Sequence, residues 1–419
     1  YALLNETVKP SVIYLIVDGM GPNHIEYARW IEYGKTGTSY ITLMDEVRAV
    51  STQNANEELT DSAAAGTQLA TGIRTENGYI GQNKYGKNVM NLFEYLNIAH
   101  PDYKTGVIAK VHAAHATPGS FLGHSITRKD DDEIYATMLE NTNVSVVITP
   151  GHPSFDKYKP EFAKRFNIIT PEQIAENKSV LTTTDLPYIA TISEAIEMKN
   201  YIDTDSADLS LNDMVFAALH KLQAGPFALM IEASKVDLGS HDNNATYLVG
   251  EQIEADLLIK DLIKFIDQNP DKNIQLIVCA DHETGGMAIV DDFKNLKSEI
   301  PKSFEAVEIQ NQKRLKRIAE MPGIAFRSDY HSNMFTIAAG YGSYFDGSKM
   351  KKVDRSMDLY YLIREIIDQK ETPRPFEMNM KQTTLKAQNA NQNQYILLSI
   401  GIGACVAILG TTIGIVLLK

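Results

Sequence analysis

An acid and a hydroxyl, Asp61 and Ser62, stand at the head of TDSAAAGTQLATG (residues 60–72), whose middle is made of small residues. The simplest interpretation of Ser62 is a helix cap. Alternatively, its hydroxyl could attack an anionic substrate, because a helix N-terminus offers free N–H groups and the positive end of a dipole. The sequence contains no GxSxG motif and no recognisable Ser-His-Asp arrangement, so we expect a metal ion to activate the hydroxyl of this serine.

Residues of the types that bind metal ions stand at or just beyond the ends of apolar stretches that begin near residues 11, 227 and 274, and one histidine precedes a further apolar stretch. The set is Asp18, Glu232, Asp237, His241, Asp281, His282 and His331. Singly, such residues are often caps, turn formers or structural histidines. Ligands of an open α/β sheet bind outside the carboxyl ends of its strands, so the set is predicted to converge at one edge. Imidazole with carboxylate suits zinc, and oxygen ligands alone suit magnesium.

The elements that must position these residues alternate between buried strands and helices. Strands are predicted within residues 11–21, 104–111, 143–151, 227–237, 273–286 and 333–342. Helices are predicted within residues 22–32, 88–98, 130–140, 171–177, 208–223, 244–268 and 354–368. This alternation indicates an α/β fold with a central, mostly parallel sheet sandwiched by helices.

The composition divides the chain into a long domain and a distinct tail. Residues 1–369 are predicted to form the catalytic domain, within which the polar residues 291–330 are interpreted as an insertion, or crown-like region. Residues 370–394 are polar and rich in asparagine and glutamine, as expected of a linker. Residues 395–418 carry no charge and are long enough to cross a bilayer as a transmembrane helix.

The tail also predicts a location. A transmembrane helix at residues 395–418 would make the protein membrane-anchored, with its catalytic domain outside the cytoplasm, in the periplasm or at the cell surface. The alternatives for this stretch are a buried core helix and the removable signal of a glycolipid anchor. The first residue, Tyr1, fits a chain from which a signal peptide has been removed.

The net negative charge of the chain bears on which ligands and partners it can bind. The net charge is -13 and the isoelectric point is about 5.3. This balance argues against a specific nucleic-acid partner, whose binding surface would show a basic stripe. It suits a protein that gathers divalent cations, because carboxylates in a cation site count as negative until the metal binds. Two cysteines are too few for a cysteine-type zinc site.

Several motifs together resemble those of the alkaline phosphatase family. In the family's order they are VDGMG, TDSAAAGTQLATG, HATPGSFLGH, IEASKVDLGSH, CADHETGG and DYHSNMF, spread over roughly residues 10–345. DSAAAGT is similar to the family's nucleophile motif, so Ser62 becomes the residue that transiently carries the phosphoryl group. The resemblance implies hydrolysis of small phosphate monoesters to an alcohol and inorganic phosphate through this phosphoserine.

The resemblance also implies two zinc ions and one magnesium ion as cofactors. It implies that one zinc ion binds Asp237, His241 and His331, that the other binds Asp18, Asp281 and His282 beside Ser62, and that magnesium binds Asp18, Thr117 and Glu232. His115 belongs to the third metal position, where the best-known bacterial enzyme has aspartate. Animal enzymes and some cold-adapted bacterial ones also carry histidine there, so the identity of the third metal is open.

The same resemblance implies roles near the bound phosphate for three further residues. Arg128, in HSITR, matches the arginine that binds phosphate with a bidentate pair, and its alternative is an exposed arginine at a helix start. Asp61 is predicted to orient Arg128 through an ion pair. Leu238 stands where relatives place lysine, histidine or tryptophan to support the phosphate, which predicts a lower affinity for phosphate.

Two other functions remain open from the sequence. A phosphodiesterase or phosphonate hydrolase of the same superfamily would share most ligands, but many of those enzymes use threonine as nucleophile, and Ser62 with Glu232 favours a monoesterase. A non-catalytic, metal-stabilised surface protein that binds a partner would keep the ligands without forming phosphoserine. Family members are commonly homodimers, and a monomer is the alternative.

Overall fold

Strands and helices alternate along most of the chain in the computed structural model, which describes residues 8–141, 143–290, 296–321 and 323–374. The strands are β1 (Ser11–Val17), β2 (Glu46–Val50), β3 (Lys104–Ala109), β4 (Val146–Thr149), β5 (Asn167–Ile169), β6 (Tyr188–Thr191), β7 (Phe227–Ala233), β8 (Ile274–Cys279), β9 (Glu283–Thr284), β10 (Ala288–Ile289), β11 (Ile324–Ala325), β12 (His331–Ser332) and β13 (Thr336–Tyr341). The helices are α1 (Pro22–Tyr33), α2 (Ser62–Thr71), α3 (Leu92–Ala99), α4 (Ala116–Leu122), α5 (Asp131–Asn141), α6 (Pro153–Phe162), α7 (Pro171–Glu176), α8 (Val180–Thr183), α9 (Leu211–Leu222), α10 (Lys235–His241), α11 (Ala245–Asp267), α12 (Val307–Ala319) and α13 (Asp358–Asp368).

One large sheet organises these elements, with its strands in the order β2-β13-β8-β1-β7-β3-β4-β6-β5. β13 runs antiparallel to β2 and β8, and the other neighbouring strands are parallel. The predicted α/β fold is therefore confirmed as a large mixed sheet flanked by helices. β2, β5 and β6 carry little signal in the sequence, since each is short and β2 has a partly exposed middle.

Helices cover both faces of this sheet. The residues of β1 alternate between two apolar cores, with Val12, Tyr14 and Ile16 in one and Ile13, Leu15 and Val17 in the other. The first core contains residues of α2 to α6 and α13, and the second contains residues of α7, α8, α9 and α11. Burial on both faces explains why the central strands are continuous apolar runs without polar alternation.

Residues 296–321, part of the predicted insertion, pack onto the domain through α12. Arg314 of α12 is fully buried and makes two hydrogen bonds of 2.7 Å to the carboxylate of Glu32 on α1. Ile318 joins a third apolar cluster with Tyr27 of α1. This segment is thus held to α1 by a buried, bidentate ion pair and by apolar contacts.

The predicted tail falls mostly outside the described residues. Contacts group Tyr1–Lys370 in one unit and Glu371–Lys419 in another. The predicted membrane helix at 395–418 and most of the predicted linker at 370–394 lie outside the ranges given above. Of the helices that the structure describes, none combines the length and apolar character needed to cross a membrane. The membrane anchor stays a prediction.

Candidate active site

The carboxyl ends of β1, β7 and β8 meet at one edge of the sheet. β1 lies between β7 and β8, and its Ile16 pairs with Glu232 near the end of β7. Asp18 follows β1, and Asp281 and His282 follow β8. The parallel register therefore delivers carboxylates and an imidazole from separate parts of the chain to one place, as the sequence predicts.

Ser62 is the first residue of α2, and it is not the cap of that helix. The cap is Asp61, whose Oδ1 accepts a hydrogen bond from the backbone N–H of Ala64 at 2.9 Å. Ser62 is 2% exposed, and its Oγ lies 3.2 Å from Nε2 of His282. The capping interpretation of Ser62 is therefore wrong, and its hydroxyl faces the predicted metal ligands.

The small residues of α2 allow a close approach to α4. A Cβ on Gly66 would lie 3.0 Å from Ser120 Oγ and 3.1 Å from Thr117 Cα. These separations are too tight for most side chains, so a residue larger than glycine would push the two helices apart. The packing holds Thr117, a predicted magnesium ligand, against the helix that begins with Ser62.

Asp237, His241 and His331 (the His331 cluster) lie close enough to share a cation. His241 Nε2 is 3.3 Å from Asp237 Oδ2, His331 Nε2 is 3.6 Å from Asp237 Oδ1, and the two Nε2 atoms are 3.2 Å apart. The Nδ1 atoms of His331 and His241 lie 2.6 Å from the carbonyl oxygens of Thr60 and Asp329, respectively. Since a carbonyl only accepts, these Nδ1 atoms carry protons, so Nε2 is the atom that each ring can offer to a metal ion.

Asp18, Asp281 and His282 (the His282 cluster) form the adjacent group. Nε2 of His282 lies 3.2 Å from Asp281 Oδ2 and 3.5 Å from Asp18 Oδ1. Nδ1 of the same ring lies 4.0 Å from Asp237 Oδ1, which makes the two clusters neighbours. Because Ser62 Oγ also approaches His282 Nε2, the hydroxyl lies beside the second cluster.

The predicted magnesium ligands lie at a third position. Glu232 and Thr117 are fully buried, and Glu232 Oε2 accepts a hydrogen bond from Ser234 Oγ at 2.7 Å. Within the described part of the chain, Glu232 Oε1, Thr117 Oγ1 and His115 Nδ1 have no hydrogen-bond partner. His115 immediately precedes α4 and makes no side-chain cap bond there.

Several buried carboxylate oxygen atoms at these positions have no hydrogen-bond partner within the ranges that the structure describes. Among the described residues, both carboxylate oxygens of Asp18, Oδ2 of Asp281 and Oε1 of Glu232 have none. Burial, followed by repulsion from neighbouring carboxylates, raises the pKa of Asp18 well above its usual range and that of Asp281 to about 8. Burial also raises the pKa of Glu232 to about 7. Unpaired buried carboxylates are costly, and divalent cations would satisfy them, so the residues present fit a metal centre.

Asp61 also contacts the predicted phosphate-binding arginine. Its Oδ2 lies 3.3 Å from Nη1 of Arg128 and accepts a hydrogen bond from the N–H of Gly78 at 3.0 Å. The backbone N–H of Arg128 donates to the carbonyl of Gly78 at 2.7 Å. The side chain of Arg128 is 27% exposed. The structure thus places the ion pair where the sequence predicts it, while the binding of phosphate by Arg128 stays a prediction.

Comparison with known proteins decides the family. The family model for alkaline phosphatase matches residues 9–149 and 173–355. The chain belongs to the alkaline phosphatase family. The fold and the order of the motifs agree with this membership.

Relatives include alkaline phosphatase 4 of Bacillus subtilis, which is 28% identical over 67% of this chain and 62% of the relative. The repressible alkaline phosphatase of Saccharomyces cerevisiae is 25% identical over 67% of this chain and 56% of the relative. The chain thus spans less than two thirds of the length of either.

Solved structures of alkaline phosphatases share the fold. A variant of the enzyme from the Antarctic bacterium TAB5, with Mg bound in the M3 site, is 25% identical and covers 87% of this chain and 99% of its own, with a TM-score of 0.67. The cold-active enzyme of a Shewanella species is 21% identical, and the match covers 85% of this chain and 99% of that enzyme, with a TM-score of 0.70.

Two side chains at the site of this alkaline phosphatase family member were not singled out by spacing or composition. Thr284 Oγ1 donates a hydrogen bond to Asp237 Oδ1 and lies 3.2 Å from His282 Nδ1, so it links the two clusters. Tyr330 stacks on His331, with ring centroids 4.5 Å apart, and is 46% exposed. The DHETGG and DYHSNMF motifs contain these residues, but nothing in either motif marks them as contacts.

Removal of divalent cations is expected to lower the thermal stability of the protein, and more so at alkaline pH. Without metal, the pKa values of Asp281 and Glu232, about 8 and about 7, lie above the values near 4 of an unfolded chain. Folding then takes up protons, so stability is lost as pH rises from about 4 through 8. Bound cations remove this penalty because they favour the ionised carboxylates.

Thermal unfolding at pH 6 and pH 9, with and without EDTA, measures this effect. We expect a larger EDTA-induced drop in Tm at pH 9 than at pH 6. Zinc and magnesium added in excess of EDTA should restore the Tm measured without EDTA. An EDTA effect of the same size at both pH values would show that the buried carboxylates do not determine it.

Proposed function

We propose that the chain hydrolyses phosphate monoesters to an alcohol and inorganic phosphate, with Ser62 as nucleophile and phosphoserine as intermediate. The observation that carries the proposal is the position of Ser62 Oγ, at the start of α2 and 3.2 Å from His282 Nε2. The same His282 Nε2 lies 3.5 Å from Asp18 Oδ1 and 3.2 Å from Asp281 Oδ2, two buried carboxylate oxygens that have no hydrogen-bond partner among the described residues. Membership of the alkaline phosphatase family supports the choice of reaction.

The chain's own residues supply position and charge. The start of α2 offers N–H groups and the positive end of the helix dipole to a phosphate that meets Ser62. Arg128, held by Asp61, is proposed to donate two hydrogen bonds to phosphoryl oxygens and to offset their charge in the transition state. Attack by Ser62 Oγ, which loses its proton, forms the new P–O bond and breaks the P–O bond to the leaving alcohol, whose oxygen takes up a proton. Water then attacks the phosphorus and breaks its bond to Ser62 Oγ, which regains a proton as inorganic phosphate leaves.

The proposed cofactors are two zinc ions and one magnesium ion. The His331 cluster and the His282 cluster would hold zinc, since they combine imidazole with carboxylate. Asp18, Thr117 and Glu232 would hold magnesium, beside His115. When bound, such cations polarise phosphoryl oxygens and lower the pKa of bound water. Magnesium is bound in the M3 site of a variant of the similar TAB5 enzyme in which a histidine is replaced by aspartate, and this supports a third cation position.

Comparison of two substrates tests the proposed reaction. The full chain is assayed with an aryl phosphate monoester and with the matching bis-aryl diester, while zinc and magnesium are titrated. We expect kcat/KM to be higher for the monoester and to depend on both cations. Preference for the diester would favour a phosphodiesterase, and no turnover of either would favour a metal-stabilised binding protein.

Replacing Leu238 by lysine is expected to tighten the binding of product. Leu238 follows Asp237 on α10 and is half-buried, and its side chain cannot donate a hydrogen bond to phosphate. A lysine adds a charge-assisted donor, so the inhibition constant for inorganic phosphate should fall about 10-fold. Leu238→Met keeps the size and the apolar character and serves as the matched control. Equal inhibition constants for wild type and Leu238→Lys would sink the prediction.

We propose that residues 395–418 anchor the chain in a membrane, that the catalytic domain lies outside the cytoplasm, and that two chains associate as a homodimer. The apolar, uncharged composition of the tail supports the anchor. The full chain should fractionate with membranes, whereas a chain ending at residue 394 should not. Light scattering of the truncated chain tests the homodimer, and a monomeric mass would reject it.

A further inference from the structure

Three side chains beside the candidate active site form another group of metal-ligand atoms. His112 lies between β3 and α4, Asp131 begins α5, and His152 directly precedes α6. One donor atom from each of these residues (the outer triad) lies within 4.8 Å of the others. His112 Nδ1 is 4.0 Å from Asp131 Oδ1, and His152 Nε2 is 3.6 Å from Asp131 Oδ2. None of these residues belongs to the predicted zinc or magnesium ligands.

Nδ1 of His112 is a buried nitrogen that faces the carboxylate of Asp131. His112 is 8% exposed, and its Nδ1 has no hydrogen-bond partner among the described residues. Its separation from the carboxylate of Asp131 is too long for a hydrogen bond. Buried polar atoms are normally paired, so this nitrogen points to a partner placed between it and the carboxylate. A cation there would contact both.

The two imidazoles of the outer triad stack on each other. His112 and His152 stack with their centroids 4.2 Å apart and their planes at 23°. Two protonated rings at this separation would repel each other, and neutral imidazole is the form that binds metals. Two neutral nitrogens and one carboxylate oxygen are a typical zinc donor set, with a fourth position left for water.

We propose that the outer triad binds a zinc ion, in addition to the cations of the candidate active site. The ion would join the segment after β3 to the starts of α5 and α6. The rings of His112 and His115 lie 5.7 Å apart, so the ion would also support the turn that carries His115. The role is structural support, and the proposal does not depend on the proposed phosphatase activity.

Coordination by His152 has one local cost. Its Nδ1 now accepts a hydrogen bond from the backbone N–H of Ser154 at 3.2 Å, as the cap of α6. A neutral ring that binds metal through Nε2 carries its proton on Nδ1, so this bond must be released. Ser154 is partly exposed, and water can satisfy its N–H. The competing explanation is that His152 only caps α6 and donates weakly to Asp131.

Zinc content separates the two explanations. The full-length protein and its variants are dialysed with excess zinc and then against zinc-free buffer, and bound zinc is counted by mass spectrometry. We expect His112→Ala and Asp131→Asn each to lose one equivalent of zinc per chain relative to wild type. Cobalt substitution should show a matching loss of visible absorption. Asp131→Asn preserves shape and keeps the test valid if His112→Ala does not fold.

His100→Ala is the matched control. His100 pairs with Asp368 at 2.8 Å, a histidine–carboxylate pair that belongs to no described cluster of three ligands. This variant should keep the wild-type zinc content. Wild-type zinc content in Asp131→Asn and in folded His112→Ala would overturn the proposal and leave His152 as a helix cap. Because the count does not use turnover, it holds whether or not the chain is a phosphatase.

Discussion

Replacing Ser62 by alanine lowers kcat for an aryl phosphate monoester by about 10,000-fold or more, because the variant lacks the oxygen that attacks phosphorus. The substitution removes one buried atom and leaves the hydrogen bond from Ala64 N–H to Asp61 intact, so α2 should remain folded. Steady-state turnover at saturating zinc and magnesium measures the effect. Residual activity would come from water attacking a phosphate that the remaining residues still bind.

A direct test of the intermediate accompanies the kinetic one. Labelled phosphate should be trapped on wild-type protein at low pH, on Ser62 alone, and should not be trapped on Ser62→Ala. Ser120→Ala is the matched control, since Ser120 Oγ is buried and donates to the carbonyl of Ala116 at 2.8 Å without belonging to a ligand cluster. A Ser62→Ala variant with wild-type kcat would exclude phosphoserine and the proposed mechanism with it.

Replacing Lys110 by methionine lowers the free energy of unfolding by about 3–5 kcal/mol. Lys110 follows β3, its side chain is 1% exposed, and its Nζ donates to both Glu251 and Glu254 of α11. Burial alone would lower the pKa of Lys110, but the two carboxylates outweigh it and raise the pKa. Methionine fills the same space and leaves the buried carboxylates without a cation.

The pH dependence identifies the cause of this loss. Burial already raises the pKa of Glu251, and removal of Lys110 takes away the charge that lowers it. A carboxyl whose folded pKa exceeds its unfolded value binds a proton on folding, so Lys110→Met should regain stability as pH falls from 8 to 5. Urea unfolding at both pH values checks this.

Lys199→Met provides the matched control for Lys110→Met. Lys199 forms an exposed pair with Asp208 at 2.8 Å, which water and salt screen, so its loss should change stability far less. Equal losses for the two variants at pH 8 would mean that the buried carboxylates do not account for the effect.

The location of the candidate site could be predicted because parallel strands end at the same edge of a sheet. Asp18, Asp281 and His282 each follow an apolar stretch that forms a central strand, and they lie together in the structure. The types of residue then suggested the chemistry. Thr117 and Arg128 can be assigned to the site only because their motifs resemble those of the family. Neither residue directly follows an apolar stretch, so position along the chain alone does not identify them.

Other features depend on contacts that no local pattern encodes. The apolar stretch from residue 227 predicts a strand that continues to residue 237, but β7 ends at Ala233 and α10 begins at Lys235. This turn puts Asp237 and His241 one helical turn apart on α10. Backbone carbonyls orient both histidines of the His331 cluster, and such atoms have no signature in a sequence. The antiparallel placement of β13 likewise depends on the whole sheet.

Asp61 joins the start of α2 to the predicted phosphate-binding arginine. One carboxylate caps the helix that begins with Ser62 and, through its other oxygen, contacts both Gly78 and Arg128. The nucleophile and the arginine therefore share a single anchor, so neither can be repositioned through Asp61 without displacing the other. Diversification for new leaving groups should accordingly proceed through side chains that do not carry this double contact, such as Tyr330, which is 46% exposed and stacks on His331.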